Sequence, residues 1–156
     1  MYEFMNETPQ DSISEIIPKL IYLSGYTQAR KTYLDEYKIS RVISIGNKYE
    51  LNSLYHNIEG IDYLQLECDD SEQANIQKYF IPVINWINKD AGKPVLIHCR
   101  MGISRSVTLV IAYMMKQLKA GTYLCLDTIR KTRPIADPNL GFITQLNNFY
   151  FSANLK

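Results

Sequence analysis

The sequence predicts an α/β fold: a central, mostly parallel mixed sheet of about five strands, flanked by helices. Three observations predict it. Short β-branched runs alternate with stretches of helical periodicity. One run, Pro94-Val-Leu-Ile-His98, is apolar throughout at strand length, as a strand covered on both faces requires. The length of 156 residues is one domain's worth, enough to bury a core without disulfide support.

The elements follow in order. Residues 1–12 are polar and read as a flexible N-terminal segment before a single domain over 13–156. Glu15–Pro18 and Leu20–Leu23 read as two short edge strands, and Thr27 to Tyr37 as a helix with Thr27 at its N-cap. Arg41–Gly46 is a β-branched run that ends in glycine, a buried strand with a turn after it. Residues 47–60 are polar and irregular, with His56 at the surface, and Ile61–Leu66 alternates as a further strand. Ile76, Tyr79, Phe80, Val83, Ile84 and Ile87 share one face of a 3.6-residue period, with Pro82 inside the helix and placed to bend it. After the Pro94–His98 strand come a polar loop and an apolar helix from Arg105 to Leu118. Helices over Tyr123–Lys131 and Asn139–Phe151 complete the chain. Trp86 and Cys125 read as packing residues.

Composition narrows the function classes. Hydrophobic residues make up 46% and charged residues 21%, ordinary for a globular chain and unlike a disordered or collagenous one. The net charge of +1 supplies no global field for nucleic acid or an anionic membrane, so any anion affinity is local and no nucleic-acid partner is expected. The run Leu109–Met115 falls far short of the ~20 apolar residues of a membrane helix. The N-terminus carries neither a signal-like apolar segment nor a second-position glycine, so no membrane anchor is expected. Three separated cysteines, Cys68, Cys99 and Cys125, form neither a disulfide framework nor a zinc cluster. They fit a reducing compartment, cytoplasmic or nuclear.

The chemistry concentrates in Val95-Leu-Ile-His-Cys-Arg-Met-Gly-Ile-Ser-Arg-Ser106. A strand leads to Cys99, and the loop Arg100, Met101, Gly102, Ile103, Ser104 leads to Arg105 and a helix. Such a loop curls its amide N–H groups inward, and the helix adds free N–H groups and the positive end of its dipole. Gly102 supplies the backbone freedom and Arg105 a planar fork for two phosphate oxygens. The result is a cup for a dianion with Cys99 at its base, where the same donors favour thiolate over thiol. Ser106 is placed to donate to the sulfur when it leaves. His98 reads as an orienting residue. A leaving oxygen needs a proton, and a carboxylic acid supplies it. Asp69-Asp70 follows the Ile61–Leu66 strand, whose carboxyl end shares a rim with Cys99 in an open α/β sheet. Asp70 is assigned as general acid and base, with Asp69 as the alternative. Arg100 sets a cation beside the nucleophile, either facing an acidic substrate or facing solvent. Cys68, near the acid pair, reads as a buried hydrophobe with a disulfide to Cys99 on oxidation as the alternative.

His98-Cys-Arg-Met-Gly-Ile-Ser-Arg-Ser106 resembles the HCxxGxSRS loop of the dual-specificity phosphatases in the cysteine-dependent protein tyrosine phosphatase superfamily. Glu15–Gly25 is similar to that family's opening strand pair, and Cys68–Ser71 to its acid loop. Arg133 and Asp137–Leu146 resemble its closing R…PNxGFxxQL segment. The resemblance covers about residues 13–151 and is nearest the small atypical members. It implies the protein tyrosine phosphatase-like fold, with hydrolysis of phosphotyrosine and phosphoserine or phosphothreonine through a phosphocysteine, without metal or cofactor. It also implies phosphoprotein substrates and a role for Asn139 in bracing the loop. No kinase-docking domain is expected, and a monomer is. The rival readings are the same chemistry on a phosphoinositide, an RNA 5′ phosphate or a glycan, and a phosphate-binding adaptor.

Overall fold

In the computed structural model, residues 12–53 and 57–153 are described. His56 and nearly all of the N-terminal segment expected to be flexible lie outside them. The strands are β1 (Ser14–Ile17), β2 (Ile21–Ser24), β3 (Arg41–Gly46), β4 (Asp62–Glu67) and β5 (Val95–His98). They form one sheet in the order β1-β2-β5-β3-β4, with β1 antiparallel at the edge and the other pairings parallel. The continuously apolar strand is therefore the central one. The helices are α1 (Lys31–Glu36), α2 (Lys48–Asn52), α3 (Phe80–Lys89), α4 (Arg105–Leu118), α5 (Thr122–Thr132) and α6 (Leu140–Ser152).

Strand side chains alternate between two cores. Ile21, Leu23, Ile43, Ile45, Val95 and Ile97 face the large one, shared with α3 to α6. Tyr22, Val42 and Leu96 face a smaller one with Leu34 and Ile39. Every residue of α4 from Arg105 to Met115 is buried, as expected of a helix enclosed on all sides.

Three local expectations change. Thr27 is not an N-cap: it lies inside a 3-10 turn, Tyr26–Gln28, and α1 begins after Arg30. The turn closes on itself by an Ala29 N–H bond to Tyr26 O at 3.1 Å, and the chain then extends at Arg30 (φ −107, ψ 155) before α1 begins. Pro82 falls in the first turn of α3, behind a 3-10 turn at Gln77–Tyr79, where a missing N–H costs no helical bond. The stretch after β3 is not irregular, because α2 occupies it behind a capping box. Asn47 Oδ1 accepts from Glu50 N at 2.9 Å and Glu50 Oε1 from Asn47 N at 2.8 Å. A buried arginine closes α3: Arg41 donates to the carbonyls of Trp86 and Ile87 and stacks 4.0 Å over the Trp86 ring.

Candidate active site

β5 delivers Cys99 to the carboxyl rim of the sheet, and the 100–104 loop carries the chain into α4. The loop's carbonyls all point outward to protein partners. Arg100 O accepts from Tyr26 N at 3.0 Å, Ile103 O from Asp137 N at 2.8 Å, and Ser104 O from Thr108 N at 2.9 Å. Met101 O and Gly102 O accept from Arg133 Nη2 and Nε at 3.2 and 2.7 Å. Every described peptide bond is trans, and a trans peptide sets its N–H opposite its C=O. The amides of residues 101–105 therefore turn away from those partners, to the side left for a ligand. Gly102 takes φ +66, and a Cβ there would lie 2.5 Å from Arg133 Nη2 and 2.6 Å from Ser24 C. Only glycine fits that turn.

Arg133 is fully buried. Beyond its two loop carbonyls it donates to Ser12 O at 2.9 Å and Ser14 Oγ at 3.2 Å. A single guanidinium thus fastens the loop to β1 and to the chain entering it.

Within the cup, Cys99 Sγ lies 3.0 Å from Ser106 Oγ, both buried. His98 is also buried, with Nε2 2.7 Å from Ser44 Oγ and Nδ1 3.2 Å from Cys99 O. A carbonyl only accepts, so Nδ1 carries a proton, and in the neutral ring Nε2 accepts from Ser44. These bonds tie the imidazole to β3 and to the backbone, the geometry of an orienting residue.

Arg105 is 6% exposed. Its Nη1 donates to Glu50 Oε1 at 2.6 Å and to Cys68 O at 3.0 Å, and Nη2 to Glu50 Oε2 at 3.0 Å. Its Nε is buried with no partner among the described residues. Glu50 thus holds one end of the fork and leaves a donor on another edge for an incoming oxyanion. Burial pushes the Glu50 carboxyl up. Hydrogen bonds from Arg105 and Asn47, with the charges of Arg105 and Arg100, outweigh it and hold the group below the usual carboxylate value.

Sequence reasoning missed Glu50. The signal was present: Asn47 and Glu50 are three apart directly after a strand, the spacing of a capping box at the rim that bears sites in α/β sheets.

The acid loop follows β4. Asp69 and Asp70 are both exposed and line one cavity of about 470 Å³ with Glu50, Cys99 and Arg105. Asp70 Oδ1 accepts from Asn139 Nδ2 at 3.0 Å. Asn139 also donates its N–H to Ser104 Oγ at 3.1 Å and caps α6 by accepting from Phe142 N at 2.9 Å. One residue joins the phosphate loop, the acid and a helix start. Farther along α6, Gln145 accepts from Gln77 N at 2.9 Å and donates to Ala74 O at 2.8 Å. Gly141 packs so close that a Cβ would stand 2.1 Å from Glu72 O. The acid loop is thereby held at both ends.

Arg100 and Met101 are exposed, Ile103 is partly buried, and Gly102 and Ser104 are buried. Cys68 is buried, and its thiol donates to Asp69 O at 3.4 Å. Burial pushes the Cys68 thiol up to about 11.

Residues 21–151 match the family model described as dual specificity phosphatase, catalytic domain. The chain belongs to that family. It is 34% identical over 142 residues to dual specificity protein phosphatase 22 of Homo sapiens, covering 89% of this chain and 74% of that one. It is 37% identical over 139 residues to a protein of Dictyostelium discoideum named as a probable rhodanese domain-containing dual specificity protein phosphatase. That match covers 87% of this chain but only 28% of the longer relative. Among solved structures, a human tyrosine phosphatase-like serine/threonine/tyrosine-interacting protein superposes with a TM-score of 0.84 at 30% identity. The superposition covers 92% of this chain and 98% of that one. The sheet order and flanking helices are those of a dual-specificity phosphatase, and the chain is a phosphatase domain of that kind. No described helix is long and apolar enough to cross a membrane.

Proposed function

We propose that this dual-specificity phosphatase domain hydrolyses phosphotyrosine and phosphoserine or phosphothreonine in proteins through a phosphocysteine. In the first step the Cys99 thiolate attacks phosphorus, the P–O bond to the substrate breaks, and Asp70 gives its proton to the departing oxygen. In the second, water attacks the phosphocysteine, Asp70 takes the water's proton, and the S–P bond breaks. The Ser106 hydroxyl, 3.0 Å away, then donates to the returning sulfur anion. Arg105 and the loop amides bind the non-bridging oxygens, whose charge they match throughout.

The observation that carries this reading is the outward bonding of each carbonyl from Arg100 to Ser104. It leaves the amides, Arg105 Nε and Cys99 Sγ to a common ligand. Fold alone does not separate a hydrolase from a binding protein, and one similar structure is titled phosphatase-like. The residues do separate them, because nucleophile, clamp, acid and hydroxyl are all present. The bond to Asn139 favours Asp70 over Asp69 as the acid.

Cys99→Ser tests the proposal. Turnover of an aryl phosphate should vanish while vanadate still binds, measured by calorimetry. Retained turnover would remove Cys99 as nucleophile. Rates on phosphopeptides, phosphoinositides and 5′-phosphorylated RNA then decide the substrate class, with phosphopeptides expected to lead.

A further inference from the structure

A second cavity adjoins the phosphate cup. Its volume is about 300 Å³, within the range of sites that take organic groups. Glu50 of α2 and Cys99 and Arg100 at the start of the loop line both cavities and form the wall they share. The far walls are Ile45, Gly46, Tyr26 and Tyr49. Resting on the hydrolytic reading above, we propose that this cavity is a substrate subsite. It takes an apolar or aromatic side chain within two residues of the phosphorylated one.

Three observations support it. Three of the polar groups that line the cavity are already engaged inside the protein, and Arg100 stands exposed at its mouth. His98 pairs with Ser44, Glu50 with Arg105 and Asn47, and the Ser53 hydroxyl donates to Tyr49 O at 2.8 Å. The inner surface left to an occupant is therefore mainly carbon, and a charged group seated there would lose hydration without gaining a partner beyond Arg100 at the mouth. At the mouth, Tyr49 is 85% exposed, the highest value among the described exposed large hydrophobic residues, and Tyr26 is 49% exposed. Large aromatic rings left in water beside a reactive centre are contact area waiting for a partner. Finally, the shared wall fixes what that partner is. Any group in this cavity lies next to Cys99 and so belongs to the molecule whose phosphate the cup holds. Arg100 lines both cavities, and its charge acts on the Glu50 carboxylate.

The test is a set of phosphotyrosine peptides carrying leucine, phenylalanine, glycine or aspartate at each of the two positions on either side of the phosphoresidue. At one position leucine or phenylalanine should raise kcat/KM about tenfold over glycine, the scale of one side chain filling an apolar pocket. The change should sit mostly in KM. In Tyr49→Ala, and separately in Tyr26→Ala, that advantage should fall to within about twofold. The ratio of kcat/KM for the favoured peptide to that for phenyl phosphate should fall with it. Tyr49 stands in solvent, so its variant carries no folding penalty that would blur the reading. Equal rates for every flanking residue would overturn the subsite, as would a preference for aspartate or an advantage undiminished in both variants. Turnover of phenyl phosphate without peptide preference overturns the subsite alone. No turnover of phenyl phosphate by the wild-type chain overturns the hydrolytic reading and the subsite with it.

Discussion

Asp70 and Glu50 are two carboxylates that line one cavity with Cys99 and are held differently. Asp70 is exposed and accepts a hydrogen bond from the Asn139 side chain. Glu50 is held by three N–H donors and stays ionised. Asp70→Asn should therefore slow phenyl phosphate by about 10²-fold or more, the low end of general acid catalysis. It should leave para-nitrophenyl phosphate within a few-fold of wild type, because that leaving group departs without a proton. Equal slowing of both substrates would take the acid role from Asp70, and the same selectivity in Asp69→Asn would give it to its neighbour. Glu50→Gln carries a different signature. It leaves the buried Arg105 cation short of its partner and should cost about 1.5–3 kcal/mol, the worth of hydrogen bonds to a charged group. Vanadate would bring anionic charge to the same guanidinium at the Nε edge that Glu50 leaves open, so saturating vanadate should raise Tm more in the variant than in the wild type. Identical vanadate shifts would show that Arg105 does not depend on Glu50. That Cys99 and Arg105 line one cavity with the acid pair, and that Ser106 lies beside the sulfur, was legible because most of these residues fall in one strand–loop–helix segment. Glu50 reaches Arg105 from 55 positions away, and only its local capping spacing is written in the chain.

At the scale of elements, legibility follows length and burial. The helices α3 and α4 are readable because ten and fourteen residues hold two or more turns of apolar period. At five residues α2 holds barely one, and its signal is its cap rather than its face. The Thr27 expectation failed because a cap is decided by where the backbone goes. Here the Arg100 carbonyl, 74 residues on, anchors the Tyr26 N–H, and the chain turns at Tyr26–Gln28 and extends at Arg30 before α1 starts. The tie between α6 and the acid loop is equally non-local and offers an element-scale prediction. Gly141→Ala sets a methyl group against Glu72 O, a backbone atom that yields only if the acid loop moves. It should cost about 1–3 kcal/mol in urea denaturation, the range of overpacking. It should also reproduce, in weaker form, the leaving-group selectivity of Asp70→Asn. Gly121→Ala, at the N-cap of α5 with nothing within 4 Å of the added carbon, is the control without overpacking and should cost only the N-cap preference, about 0.5–1 kcal/mol, with no change in leaving-group selectivity. Equal effects at the two glycines would dissolve the proposed coupling between α6 and the acid.

For the molecule as a whole, the mainly parallel sheet was readable from its apolar centre, but its strand order was not. Pairing of β5 between β2 and β3 brings together segments some fifty to seventy residues apart, which no local pattern records. That same burial sets the pH range of the folded state. Burial pushes the thiols of Cys68 and Cys125 from 9.0 up to about 11. Burial, then the hydrogen bond to Glu15 and its charge, pushes the Tyr22 phenol from 10.0 to about 12. Each group binds its proton more tightly when folded, so its contribution is fully present below the unfolded value and is lost as pH rises toward the folded one. Glu50 has the opposite sign. Its lowered value gives stability that is present above about 4.5 and is lost as pH falls through the folded value. Stability should therefore hold level between about pH 4.5 and 9 with respect to these groups, and each thiol should withdraw roughly 2 kcal/mol between about pH 9 and 11. Cys125, 1% exposed on α5, isolates the effect away from the site. Cys125→Ala lowers stability at every pH by a constant cavity cost, but its denaturation midpoint should fall less steeply than the wild type's between pH 9 and 11. Parallel curves would mean that the buried thiol does not govern the alkaline limit.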